Sequence, residues 1–116
     1  MKFPLKTLSV FILLCSIFGI SNNAYAFPAK ELMEKFSRDE RHMYVTALVH
    51  MASYHAAIDD DQKRAQCIMD WYHEPDHVEQ IIYIQKAFIK FPDWDGVQVV
   101  MAVLNQKCGK PSNWPK

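Results

Sequence analysis

Residues 75–91 read PDHVEQIIYIQKAFIKF and carry the clearest helical pattern in the chain. Apolar side chains recur there every three or four positions and cover more than half of a helical circumference, which is typical of a central helix. These side chains are Val78, Ile81, Ile82, Ile84, Ala87, Phe88 and Phe91. Proline is tolerated at the first helical position, so Pro75 predicts the start. The residue before a proline disfavours helical geometry, so Pro92 predicts an end at Phe91.

The start of this helix also decides how residues 73–77, which read HEPDH, are interpreted. Their spacing fits H-E-x-x-H, in which two histidines one helical turn apart bind zinc and the glutamate activates water. Pro75 interrupts the helix that such a site needs, and it places His73 and Glu74 in the preceding loop. The sequence also lacks G-x-S-x-G, Walker and C-x-x-C motifs. We therefore predict that the protein is not an enzyme and has no metal site and no cofactor.

The chain before the central helix is predicted to be helical as well. Residues 28–37 predict one or two amphipathic turns, and residues 38–58 predict a long helix. The expected core-facing stripe of the long helix is Tyr44, Ala47, Leu48, Met51, His55 and Ile58. Residues 59–64 (DDDQKR) predict a charged connection, with a short helix toward Cys67 as the alternative. The other histidines, His42, His50 and His55, are expected to be surface or half-buried residues, with pH sensing as the alternative.

A last helix is predicted to end at Cys108. Asp93 or Asp95 can cap its start, and Gly109 favours its end. Its apolar stripe is Val97, Val100, Met101 and Leu104. If this helix packs antiparallel to the central one, Cys67 and Cys108 lie at the same end of the pair, because Cys67 precedes the central helix. The predicted fold is a small all-α bundle of four to five helices, with one disulfide closing an αα-hairpin.

The first 26 residues predict a cleaved signal peptide. Lys2 and Lys6 form a basic start, residues 8–20 are almost entirely apolar, and an A-x-A sequence ends at Ala26. The apolar run is shorter than the roughly 20 residues that a membrane-spanning helix needs. We therefore expect export to the periplasm, with no membrane association after cleavage.

Residues 27–116 are predicted to form a single helical domain, with an irregular tail at 110–116. Without the first 26 residues, eleven Lys and Arg stand against thirteen Asp and Glu, so nothing indicates binding to nucleic acid. Two of the three cysteines remain, Cys67 and Cys108. An even number of cysteines in a small exported domain indicates a disulfide.

Aromatic residues beside the central helix are the candidate partner contacts. Trp71 and Tyr72 precede this helix, and Trp94 follows it between Asp93 and Asp95, which are candidate partner contacts as well. Aromatic side chains outside the regular stripes either extend the core or anchor a partner protein. From the sequence both alternatives stay open for these residues.

The layout resembles the Rap/Tai family of periplasmic immunity proteins. The residues that carry the resemblance are the start of the long helix, Tyr44–Ala47, and Cys67 before a helix with Gln80. Phe91–Pro92 at the end of that helix and Cys108 at the end of the last helix complete it. The family's usual glycine and proline positions are occupied here by other residues, which affects the choice of partner more than the fold.

This resemblance implies a small helical protein that can form a homodimer. Such proteins bind peptidoglycan amidase effectors of type VI secretion systems and occlude their active sites. The expected function is therefore immunity-type inhibition of a cell-wall amidase in the periplasm, without catalytic residues. The alternative is an acid-stress chaperone resembling the HdeA group, whose members are periplasmic helical proteins of similar size with one disulfide.

Overall fold

The computed structural model describes residues 27–112. They form five helices: α1 (Ala29–Glu34), α2 (Arg38–Ile58), α3 (Gln62–His73), α4 (His77–Lys90) and α5 (Gly96–Cys108). The predicted all-α fold is confirmed. The predicted signal peptide, and the last four residues of the predicted irregular tail, lie outside the described residues. No helix between residues 27 and 112 combines the length and the apolar character that crossing a membrane requires.

Side-chain caps set the starts of four of the helices. Ser37 and Glu40 form a capping box at α2, in which each side chain accepts the other residue's backbone N–H, at 3.2 and 2.7 Å respectively. Asp61, Asp76 and Asp95 cap α3, α4 and α5 without such a reciprocal bond, each through one carboxylate oxygen that accepts a backbone N–H of the first turn. Asp95, rather than Asp93, is therefore the cap of the last helix.

Helix α3 is the element that the sequence prediction underestimated. The charged connection ends at Asp61, and a twelve-residue helix follows it to His73. The side chains that α3 buries are Arg64, Ala65, Ile68 and Tyr72. The apolar members of this set are spaced by three and four residues, as an amphipathic helix requires. The arginine among them masks the pattern, because charged residues seldom lie inside a protein.

The junction of α3 and α4 also differs from the prediction. His73 is the last residue of α3 and does not lie in a loop. Pro75 lies in the turn, after a cis peptide bond with Glu74, and α4 begins at His77 with Asp76 as its cap. The predicted end of this helix is confirmed to within one residue, because α4 ends at Lys90 and Phe91 is its C-cap.

All five helices contribute buried apolar side chains to one core. The buried apolar residues packed together are Ala29, Leu32, Val45, Val49, Ile68, Tyr72, Ile81, Ile84, Phe88, Val99, Val100, Val103 and Leu104. The predicted stripe of α2 is displaced by a rotation of the helix, since Val45, Val49, Ser53 and Ala56 face inward, while Tyr44 and Leu48 of the predicted stripe pack against the core half-buried. Met51 is 55% and Ile58 57% exposed. Helical periodicity predicted the helix, but did not decide which of two adjacent apolar faces is buried.

The predicted disulfide between Cys67 and Cys108 is confirmed. Because Cys67 lies within α3, the bond links α3 to the end of α5, one helix earlier than the predicted clamp on the α4–α5 hairpin. Arg64 strengthens the same connection, since its guanidinium donates to the Gly109 carbonyl and to Asn105 Oδ1. Burial lowers the pKa of Arg64 from its ordinary value, and the charge of Asp61 acts in the opposite direction.

Asp61 holds the chain that follows α5. Its carboxylate accepts the backbone N–H of Arg64 at 3.3 Å and that of Ser112 at 3.2 Å. Partial desolvation works to raise the pKa of this carboxyl group. The hydrogen bonds from Ser112 and Arg64 and the charge of Arg64 outweigh it, so that the pKa lies below its ordinary value.

Candidate functional site

A groove runs between α4 and α5, and we call it the α4–α5 groove. Its volume is about 450 Å³. Small apolar side chains form its floor: Ala87, Val99, Ala102 and Val103. The size falls in the range of sites that bind ligands or anchoring side chains of a partner, roughly 300–1,000 Å³.

Aromatic pairs stand at both ends of the α4–α5 groove. At one end the Tyr83 ring meets Trp71 edge to face, with ring centroids 6.2 Å apart. At the other end Phe91 and Trp94 are tilted against each other at 5.0 Å. Trp94 is 49% exposed. Large, partly exposed aromatic side chains are typical anchors in protein interfaces.

Lysines form the rim of the groove. Lys86 and Lys90 line it directly. The ammonium groups of Lys107 and Lys90 lie 4.5 Å and 5.6 Å from the ring centroids of Tyr83 and Phe91, respectively, as in cation–π contacts. Within the described part of the chain, none of the three forms an ion pair with a carboxylate. The groove therefore presents positive charge above an apolar floor.

The Trp94 end of the groove is held in place by the beginning of the domain. Ala29 N–H donates to the Trp94 carbonyl at 2.7 Å, and Lys30 N–H donates to the Pro92 carbonyl at 2.9 Å. Gly96 N–H donates to the Phe27 carbonyl at 2.8 Å. These bonds satisfy donors in the first turns of α1 and α5, which have no partner within their own helices. The turn that carries Trp94 is thus fixed at several points.

The Tyr44 hydroxyl lies beneath this turn, and the ring of Tyr44 packs with Phe27 and Phe36 at 6.5 and 6.1 Å between centroids. Burial and, to a smaller extent, the charge of Asp95 raise the pKa of Tyr44. The hydroxyl therefore stays neutral at physiological pH.

The structure divides the five candidate contact residues. Trp94 lines the α4–α5 groove, and Asp93 is exposed beside it. Trp71 is half-buried against the core and meets the groove only through its contact with Tyr83. Asp95 is occupied as the cap of α5, where it accepts the Val97 N–H at 2.7 Å. Tyr72 is only 1% exposed, so it belongs to the core and is not available to a partner. The hydroxyl groups of Tyr72 and Thr46 are hydrogen-bonded at 2.6 Å, and burial raises the pKa of Tyr72 against the effect of this bond.

Sequence reasoning missed the lysines and Tyr83 because only the packing of α5 against α4 brings them together at one groove. Tyr83, Lys86 and Lys90 occur on one face of α4 at helical spacing, which is a detectable signal. That face becomes a groove only because α5 packs beside it.

A second feature is a cluster of histidines around Tyr72. His42 on α2 faces His77 on α4 with ring centroids 5.4 Å apart, and His50 on α2 faces His73 on α3 at 5.9 Å. Four of the five histidines of the protein are therefore gathered where α2 passes the α3–α4 junction. Among residues 27–112, no three His, Cys, Asp or Glu side chains are arranged to hold one metal ion.

Comparisons of the chain with family models, with curated proteins and with solved structures found no match in any of the three.

Proposed function

We propose that this protein is an exported immunity-type binding protein, which inhibits a peptidoglycan amidase effector by covering its active site. The α4–α5 groove and the exposed Trp94 at its end form the contact surface. The single observation that carries this proposal is the combination of an open apolar floor, exposed aromatic side chains and lysines without ion-pair partners among the described residues. The resemblance to the Rap/Tai family supplies the partner class.

A binding role fits the groove better than catalysis does. Its described lining residues include no carboxylate, imidazole, thiol or aliphatic hydroxyl, so Tyr83, Lys86 and Lys90 have no such group beside them in the groove to activate them for acid–base or nucleophilic chemistry. An occluding inhibitor needs a rigid surface instead. The hydrogen bonds that fix the Trp94 turn, together with the disulfide between α3 and α5, support such rigidity.

The direct test is co-production in the periplasm with an amidase effector encoded beside this protein. We expect relief of the effector's lysis and a stable complex on gel filtration. Replacement of an interface anchor weakens binding by about 2 kcal/mol or more, which is roughly thirtyfold in Kd. Trp94→Ala should therefore reduce protection and weaken the complex by at least that factor.

A matched control variant separates the loss of partner contact from a loss of protein stability. Tyr54 on α2 is 66% exposed and lies outside the groove lining, so Tyr54→Ala should leave affinity unchanged. Lys86→Glu should weaken binding, while Lys63→Glu on α3 should not. Unrelieved toxicity without a complex would refute the immunity role. Equal affinity of the Trp94→Ala and Tyr54→Ala variants would refute the assignment of the surface.

One observation favours the second candidate function, an acid-activated chaperone. Four histidines lie in two facing pairs where α2 passes the α3–α4 junction, and histidine is the residue that pH-dependent switches most often use. Suppression of aggregation of a denatured substrate below about pH 4, where carboxylates are protonated, would support this role. Unchanged behaviour in acid would exclude it.

A further inference from the structure

We propose that His42 and His77 form a two-histidine site for a divalent transition-metal ion that prefers imidazole, such as Zn²⁺ or Cu²⁺. This site is separate from the α4–α5 groove and does not depend on the proposed function. It would join α2 to the start of α4.

The distance between the two rings fits a shared ion. Their centroids lie 5.4 Å apart with the ring planes inclined at 58°. Two imidazoles that bind one Zn²⁺ at about 2.0–2.1 Å per nitrogen, in a tetrahedral arrangement, place their ring centroids about 5 Å apart. The observed centroid separation is therefore compatible with one shared ion.

A carboxylate lies close to one ring nitrogen of His77, that of Asp76. Its Oδ1 lies 3.3 Å from Nδ1 of His77 and also accepts the Val78 N–H at 3.1 Å, which fixes the carboxylate as the cap of α4. A carboxylate on one ring nitrogen sets the tautomer and leaves the other nitrogen for the metal, as is common for histidine ligands. In this arrangement Nε2 of His77 is the ligand atom.

The surroundings of the pair predict an exchangeable ion of moderate affinity. His77 is exposed and His42 half-buried, so an ion can enter and keep water in its remaining positions. No group of three protein ligands converges anywhere between residues 27 and 112. Because closed structural zinc sites have four protein ligands, two histidines should give a micromolar Kd instead of a much tighter one.

The other histidine pair serves as an internal comparison. The rings of His50 and His73 are 5.9 Å apart, and in the described structure neither ring nitrogen contacts a carboxylate. The two histidines of HEPDH lie on different helices, His73 at the end of α3 and His77 at the start of α4. Sequence reasoning predicted no metal site because Pro75 interrupts the helix that these two histidines would share, and in the fold each one faces a histidine of α2.

Isothermal titration calorimetry of the purified protein with ZnCl₂, CuCl₂ and MgCl₂ tests the site. We expect one Zn²⁺ or Cu²⁺ per chain with a micromolar Kd and no binding of Mg²⁺, which prefers oxygen ligands. His42→Asn and His77→Asn should each weaken binding at least tenfold. Asp76→Asn keeps a good helix cap but loses the carboxylate, and should weaken binding about tenfold.

His55→Asn is the control, because His55 also lies on α2 and is exposed, and its described ring contact is with Tyr54. This variant should bind like the wild type, as should His50→Asn and His73→Asn. Circular dichroism of every variant checks that the fold is kept. Three results would each overturn the proposal: no binding below millimolar Zn²⁺ or Cu²⁺, binding that persists in both His42→Asn and His77→Asn, or binding that depends on His50 or His73.

Discussion

Replacement of Gly96 by alanine tests how tightly the Trp94 turn is packed. A Cβ atom at Gly96 would overlap Cδ1 of Leu32 and would lie 3.2 Å from the Tyr44 hydroxyl oxygen and 3.3 Å from the Phe27 carbonyl oxygen. Leu32 is fully buried and Phe27 O accepts the Gly96 N–H, so neither can withdraw freely. The added methyl group therefore overfills a closed space.

Two opposing effects decide how much Gly96→Ala changes the free energy of unfolding. Gly96 is the first residue of α5, and alanine in a helix is favoured over glycine by up to about 1 kcal/mol. Overpacking in a filled core destabilises by about 1–3 kcal/mol. The steric effect should prevail, so we expect Gly96→Ala to lower the free energy of unfolding by about 1–2 kcal/mol. For a domain of this size that corresponds to a decrease in Tm of roughly 5–10 °C.

Urea unfolding followed by circular dichroism measures this change, and a second substitution assigns its cause. Leu32→Val removes the Cδ atom, so Gly96→Ala should be neutral or stabilising in that background, with a coupling of about 1 kcal/mol or more. Gly109→Ala is the contrasting control: a Cβ there meets nothing within 4 Å, but φ of 77° and ψ of 165° fall in a region almost restricted to glycine. The cost of Gly109→Ala should be the same in the wild-type and the Leu32→Val backgrounds. A Gly96→Ala variant as stable as the wild type would refute the packing argument.

Three further predictions concern bonds that hold the helices together. Replacing Cys67 and Cys108 by alanine should lower the free energy of unfolding by about 4 kcal/mol, because the disulfide closes a loop with a sequence separation of 41. Urea unfolding measures this change, and a loss under about 1 kcal/mol would contradict the prediction. Tyr72→Phe should cost about 1 kcal/mol by leaving the Thr46 hydroxyl without its partner, and adding Thr46→Val should recover part of that loss in the same assay. The stability that Asp61 contributes should be present above the ordinary carboxyl pKa and should disappear as the pH falls through its lowered pKa. Asp61→Asn should therefore reduce the pH dependence of the unfolding midpoint between neutral pH and about pH 3.

Local signals allowed much of the fold to be predicted. The sequence alone reveals features that act through neighbouring residues. These are the hydrophobic periodicity of α2 and α4, the proline after Phe91, the Asp95 cap and Gly109. The buried face of α2 was displaced because Val45 and Val49 adjoin Tyr44 and Leu48 on the helix, and periodicity does not decide between two adjacent apolar faces. The histidine pairs and the α4–α5 groove depend on which helices become neighbours, which periodicity does not determine.

The two ends of α5 are fixed by different interactions, and both should affect partner binding. Hydrogen bonds with the beginning of the domain hold the Gly96 end, and the disulfide and Arg64 hold the Cys108 end. The α4–α5 groove lies between them, with Val99 and Val103 in its floor. A groove whose wall is held at both ends loses little conformational entropy when a partner binds. Loosening either end should therefore weaken partner binding even though neither Gly96 nor Cys108 lines the groove, whereas Trp94→Ala weakens it through lost contact and leaves stability nearly unchanged.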